Sequence, residues 1–168
     1  MNTFVSIERL GEFTFNKVTY YSVRLEDKGN TEFEDFLERH EHNEDIRQEL
    51  DELFWWLEQL GTHIGARADY FRPERQAHAL PPPYRKLRKA QHEHLRLYCM
   101  RLSDQVVILF NGGVKTAETA QQCPNVKPHF DLANRLAEAI DEAIKDREIE
   151  FSAEGDRLEF DDDLEFEI

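Results

Sequence analysis

The sequence predicts an α+β fold in a single domain spanning residues 1–168. Three observations carry this reading. Residues 11–26, GEFTFNKVTYYSVRLE, are rich in aromatic and β-branched side chains with partial alternation, which is strand patterning. Ile46, Leu50, Leu53, Leu57 and Leu60 recur at spacings of 4, 3, 4 and 3, which is one apolar face of a helix. Leu95 to Leu102 and Gln105 to Phe110 are apolar runs divided by Ser103-Asp104, which reads as a pair of antiparallel strands. The expected order is an N-terminal strand, a helical hairpin, a curved antiparallel sheet, a C-terminal helix and short acidic strands.

Taken in order, residues 11–26 form one long strand or the second half of a hairpin begun by Phe4 to Ile7. Residues 26–30, EDKGN, are a turn. Thr31 followed by Glu34 is a capping box, so a helix starts there, buries Phe33, Phe36 and Leu37, and fades at His40 to Asn43. The next helix covers 44–60, Ile64 extends its pattern, and Gly61 is its expected stop. Trp55 and Trp56 cannot both lie on its apolar face, so at least one sits at a rim. Residues 65–93, with Pro81-Pro82-Pro83, read as irregular. Asn111-Gly112-Gly113 is expected to break the second strand of the central pair, and 117–127 to be a polar loop. A helix over Pro128 to Asp146 buries Phe130, Leu136, Ile140 and Ile144, with Ala133 and Ala137 beside them. Residues 147–168 form an acidic C-terminal extension. Its apolar residues alternate with acids, which predicts short strands rather than a solvated tail.

Composition bounds the function. The chain has 168 residues, and its 12 Phe, 5 Tyr and 2 Trp suit an ordered core. No apolar run approaches the ~20 residues of a membrane span, so no membrane partner is expected. The N-terminus lacks an apolar signal core. Cys99 and Cys123 are too few for a disulfide framework, which points to a reducing, cytoplasmic setting. The net charge of −14 argues against nucleic-acid binding over the whole surface. The charge is uneven, however. Residues 66–101 hold three acids against nine Arg and Lys, whereas residues 141–168 hold 13 acids against three bases.

Several chemistries are excluded by pattern. His92-Glu93-His94 and the pair His40 and His42 lack a third ligand at useful spacing, and neither HExxH nor CxxC occurs. No metal and no cofactor is expected. Ser103 and Cys99 lack a nucleophile elbow, and Cys99 reads as a packed strand residue. Gly112 to Thr116 lacks the leading glycine of a nucleotide loop. A basic cluster remains. Arg85, Lys86, Arg88 and Lys89 precede the first strand of the central pair, Arg96 lies in it, and Lys115 follows the second. Alternation puts Arg96 on one face with Tyr98, and Leu95 and Leu97 on the other. Fixed cations beside glycines suit a phosphate that the backbone approaches closely. A basic face paired with the acidic extension or with a partner protein fits the same residues.

Lys86-Leu87-Arg88, Leu95-Arg96-Leu97-Tyr98, Val106 to Leu109 and Gly113-Val114-Lys115-Thr116 together resemble the RelE/ParE toxin superfamily, its HigB-like branch in particular. The motif covers about 30 residues and the element order about two thirds of the chain. The resemblance implies a toxin of a toxin–antitoxin system that cleaves mRNA in the ribosomal A site without a metal. The 2′-OH attacks the adjacent phosphate there. Only Arg88, Arg96 and Lys115 match family motif positions: Arg96 would stabilise the phosphorane, and Lys115 would do so or shuttle a proton. Tyr98 and His94 are proton-transfer candidates by proximity, and Arg85, Lys86, Arg88 and Lys89 are the candidate RNA-binding residues. An antitoxin protein and ribosome-bound mRNA are the implied partners, with no direct role for DNA. The alternative is a non-catalytic protein-binding or regulatory module on the same fold. This chain is longer than the family's short toxins and acidic where they are basic. One expectation that reconciles the charge is that the acidic extension folds over the basic stretch as a built-in antagonist, or else completes a sheet edge.

Overall fold

The first structural unit is a hairpin. Strand β1 (Phe4–Thr14) returns as β2 (Thr19–Leu25), so the alternative begun by Phe4 to Ile7 is the one adopted. The computed structural model describes residues 2–83, 94–116 and 119–168. Val5 pairs with Leu25 and Ile7 with Val23, and all four turn to one face. Beyond Arg9 the register slips, and β1 arches until Phe13 meets the rings of Phe33 and Phe54.

Helix α1 (Glu32–His40) begins where the capping box placed it. The Thr31 hydroxyl accepts from the Glu34 N–H, and the Glu34 carboxylate accepts from the Thr31 N–H. Helix α2 (Arg47–Gln59) follows a short 3₁₀ turn over Glu44–Ile46. Gly61 does not stop it. The chain continues as a π turn through Leu60–Ile64 and ends at Gly65, where φ is +85°. Gly61 is there for packing, because a Cβ would lie 2.5 Å from the Phe15 ring. Trp56 is buried and Trp55 is 37% exposed, so one tryptophan does lie at a rim.

The stretch read as irregular contains two strands, β3 (Arg72–Glu74) and β4 (Ala77–Leu80). They form a hairpin that extends the sheet, with Pro73 on the edge strand, where a missing N–H is tolerated. Strands β5 (Leu95–Arg101) and β6 (Val106–Val114) are the expected pair. Asn111-Gly112-Gly113 does not break β6. A bulge separates Cys99↔Leu109 from Leu97↔Gly112, and pairing resumes through Leu95↔Val114. The glycines are needed for close approach, since a Cβ on Gly112 would overlap the Arg96 carbonyl.

The sheet order is β3-β4-β5-β6-β2-β1-β9, where β9 is Phe166–Glu167. It is mixed, not wholly antiparallel, because β2 runs parallel to β6. A parallel pair needs a long crossover, and α1 and α2 supply it across one face. That face buries Tyr20, Leu97, Cys99 and Leu109 against Phe33, Phe36, Leu53 and Leu57. Helix α3 (Lys127–Lys145) covers the other face, with Phe130, Leu136, Ala137 and Ile140 over Tyr98, Ile108 and Phe110. Ile144 is only partly buried. A sheet that is antiparallel except for the β2–β6 pair, packed with helices, is an α+β fold.

The extension is built into this body. Strands β7 (Glu150–Phe151) and β8 (Leu158–Glu159) pair with each other, and β9 pairs with β1 at Phe4 and Val5. Ile149, Leu158 and Phe166 join the core under α3. The Leu158 N–H donates to the Tyr21 hydroxyl at 2.9 Å. Strand β9 completes the sheet edge four strands from β5, roughly 19 Å away at ordinary strand spacing.

Candidate functional site

The face of the sheet under α3 continues past the helix start, and there it changes from apolar to charged. Strand alternation sets this up. Glu74 pairs with Ala77 and Arg72 with Ala79, and both alanines face the α3 side. Arg96 pairs with Gly113, and the Lys115 N–H donates to the His94 carbonyl at 2.7 Å, so Lys115 shares the parity of Arg96. Leu95 and Leu97 face the other core, as alternation predicts.

These four charged groups sense one another. Arg96 is only 7% exposed and donates Nη1 to the Leu95 carbonyl at 3.1 Å. Arg72 is anchored by the carbonyls of Pro81 (2.8 Å) and Pro82 (3.1 Å). Burial pushes the Glu74 carboxyl above its usual range, and Lys115, Arg96 and Arg72 oppose that rise. Burial also lowers the Lys115 ammonium, and Arg96 and Arg72 lower it further against the pull of Glu74. Among the described residues, three cations thus act on one carboxylate. Cations held together in this way suit an entering phosphate.

Other expected site residues fall differently. Tyr98 is in the core, 1% exposed and edge-on to Phe130. Burial and Glu74 push its phenol upward, so at neutral pH it keeps its proton and serves as packing. His94 lies just before β5, on the α2 side: the Glu49 carboxylate accepts its backbone N–H and sits 3.9 Å from its ring. Arg85, Lys86, Arg88 and Lys89 lie outside the described residues, as do His92 and Glu93. Glu74 and Arg72 were not singled out from the sequence, because the segment holding them, 65–93, carries four prolines and no strand-length apolar run.

Cys123 lies beside this cluster and is fully buried. Burial alone would raise its thiol. Hydrogen bonds from the Thr116 side chain and N–H and from the backbone at Asn125 and Val126 outweigh that and hold it at about 7. Cys99 is buried in the opposite core, where desolvation pushes its thiol up. The two cysteines lie on opposite faces of the sheet.

A second polar cluster sits where β2 and β6 diverge. Arg39 of α1 donates Nε to Asp35 (3.0 Å) and Nη2 to the Gly112 carbonyl (2.8 Å) and to Asn111 Oδ1. Asn111 is 3% exposed and donates Nδ2 to Asp35 at 2.8 Å. The rings of His40 and His129 each approach Arg39 at 3.4 Å. A cavity of about 360 Å³ opens here, lined by Glu32, Asp35, Asn111 and His129 among others. Burial, and then the Arg39 charge, lower both histidines, His129 to about 4. A depressed histidine contributes stability that is present above the unfolded value of about 6.5 and lost as pH falls through the folded one. The fold is therefore expected to lose stability between about pH 6.5 and 4, and His129→Gln to flatten that slope in urea titrations.

No family model, curated protein or solved structure matches this chain. Among the described residues, no group of three or more His, Cys, Asp or Glu side chains is placed to hold a metal. Among them, too, no helix is long and apolar enough to cross a membrane.

Proposed function

We propose that this chain is the toxin component of a toxin–antitoxin pair, a metal-independent endoribonuclease acting on ribosome-bound mRNA in the cytoplasm. The observation that carries the reading is that Arg72, Arg96 and Lys115 all act on the raised carboxyl of Glu74. A carboxylate raised above its usual range is a stronger base than an exposed one. In this mechanism Glu74 takes the proton of the 2′-OH, and the 2′-oxygen attacks the adjacent phosphorus. Arg96 and Arg72 stabilise the charge that builds on the phosphorane. The bond to the 5′-oxygen breaks, and Lys115, its proton loosened by its cationic neighbours, protonates the leaving oxygen. The products are a 2′,3′-cyclic phosphate and a 5′-hydroxyl. Tyr98 and His94 take no proton in this scheme.

The test is growth of a bacterial host on induction of the full chain. The wild type is expected to arrest growth. Arg96→Ala/Lys115→Ala and Glu74→Gln, at equal soluble protein, are expected to relieve the arrest by about 10²-fold or more in surviving cells. Harmless expression of soluble wild type overturns the reading. The non-catalytic alternative is favoured by one observation, the exposed indole of Trp55 stacked edge-on against buried Trp56. In that case Trp55→Ala weakens a protein partner and the Arg96/Lys115 pair matters little.

A further inference from the structure

Strand β6 reaches the cationic cluster only through its bulge, and its register differs on either side of that bulge. Before it, Arg101↔Val107, Met100↔Ile108 and Cys99↔Leu109 follow one antiparallel register. After it, Leu97↔Gly112, Arg96↔Gly113 and Leu95↔Val114 follow a register advanced by one residue. Carried on without the bulge, the first register would set Arg96 opposite Gly112 and Lys115 opposite residue 93. Lys115 would then share the parity of Leu95 and Leu97, on the α1–α2 face. With the bulge, Lys115 is opposite His94 and on the face of Arg96. One extra residue decides whether the two cations meet.

What holds that extra residue is the Arg39–Asp35–Asn111 network. The Asn111 carboxamide oxygen accepts from its own strand at the Gly112 N–H (2.8 Å) and from Arg39. Its amide donates to Asp35. The Arg39 guanidinium spans Asp35, Asn111 and the Gly112 carbonyl. On the β2 side, Asn111 and the Gly112 carbonyl are thus bonded to α1, since β2 pairs with β6 only as far as Leu109. We propose that Arg39 and Asn111 are positioning residues that pin the β6 bulge and so place Lys115 beside Arg96. This deepens the proposed ribonuclease site and rests on it for its functional meaning, but the placement itself is a property of the fold.

The test reads Lys115 directly in the full chain. Lysines are tagged by reductive ¹³C-methylation, Lys115→Arg identifies the resonance, and the titration of that signal is followed by NMR. In the wild type, Lys115 is expected to titrate below the other lysines. In Asn111→Ala and in Arg39→Gln it is expected to move up to join them. The Lys115 amide, bonded to His94, should exchange at least about tenfold faster than in the wild type. Ile140→Val, which trims the core under α3 without touching the network, serves as the stability control and should leave the Lys115 titration unchanged. Should Asn111→Ala not fold, Arg39→Gln, whose side chain is at the surface, carries the measurement. A Lys115 signal unmoved by Arg39→Gln, or one that moves equally in Ile140→Val, overturns the proposal. The growth assay reports separately on the ribonuclease reading, so a harmless wild type with a shifted Lys115 titration in Arg39→Gln rejects only that reading.

Discussion

Deletion of residues 149–168 is expected to unfold the chain. Ile149, Leu158 and Phe166 are buried in the core under α3, and Phe160, Leu164 and Ile168 pack against it. Full burial of an apolar side chain contributes roughly 1.5–3 kcal/mol, so the three buried residues alone account for roughly 5–9 kcal/mol. A domain's whole stability is about 5–15 kcal/mol. The deletion also strips the Leu158 donor from the Tyr21 hydroxyl and reopens the β1 edge at Phe4 and Val5. Urea unfolding and near-ultraviolet circular dichroism check this. The expected result is loss of the cooperative transition and aggregation through β1. A truncated chain that stays folded and becomes more toxic would instead mean that the extension acts as an antagonist of the basic face.

Gly112→Ala is expected to be the most damaging single-methyl change in the chain. Its Cβ would overlap the carbonyl of Arg96, and the next nearest atoms are also backbone, of Arg96 and Leu97. A flexible side chain can swing away from a methyl group, whereas a paired strand cannot. The expected cost is about 4 kcal/mol or more, in the range reached only by changes that force backbone apart. Gly29→Ala is the matched control, because nothing lies within 4 Å of its added methyl and its φ is ordinary. It should be neutral or slightly stabilising, by about 0.5 kcal/mol. Linear extrapolation from urea midpoints distinguishes the two results.

The contrast between these glycines also shows which parts of the fold the sequence could reveal. Local determinants are legible. Thr31 and Glu34, three residues apart, cap α1, and α2, α3 and the β5–β6 pair announce themselves by period and by apolar runs. The acidic extension was legible as strands because Leu and Phe recur at every second position. Glycine is ambiguous by nature. Asn111-Gly112-Gly113 and Gly61 have the composition of a break, and only the opposing backbone of Arg96 and the ring of Phe15 show that they are sites of close approach. Strands β3 and β4 are three and four residues long, too short for a period, with Pro73 inside the first and Pro81 after the second. The direction of β2 against β6 has no local signal at all. The same divide runs through the site. Arg96 and Lys115 flank recognisable strands, whereas Glu74 and Arg72 reach them through the hidden hairpin. Arg39 meets Asn111 and His129 across 72 and 90 residues.

The parallel pairing of β2 with β6 bears on the order in which the molecule forms. Ser22 donates its hydroxyl to the Leu109 carbonyl across 87 residues, in a pairing no hairpin can provide. Closing so long a loop adds about 0.6 kcal/mol for each doubling of length, and it must precede the contacts that reward it. The β1–β2 ribbon, α1 and α2 can therefore gain local order early, yet the ribbon has no sheet to join until β5 and β6 have paired. Until then Tyr20, Tyr21 and Ser22 present an open edge that another chain could bind. Folding is expected to be paced by this late docking, with the undocked ribbon as the species most prone to self-association.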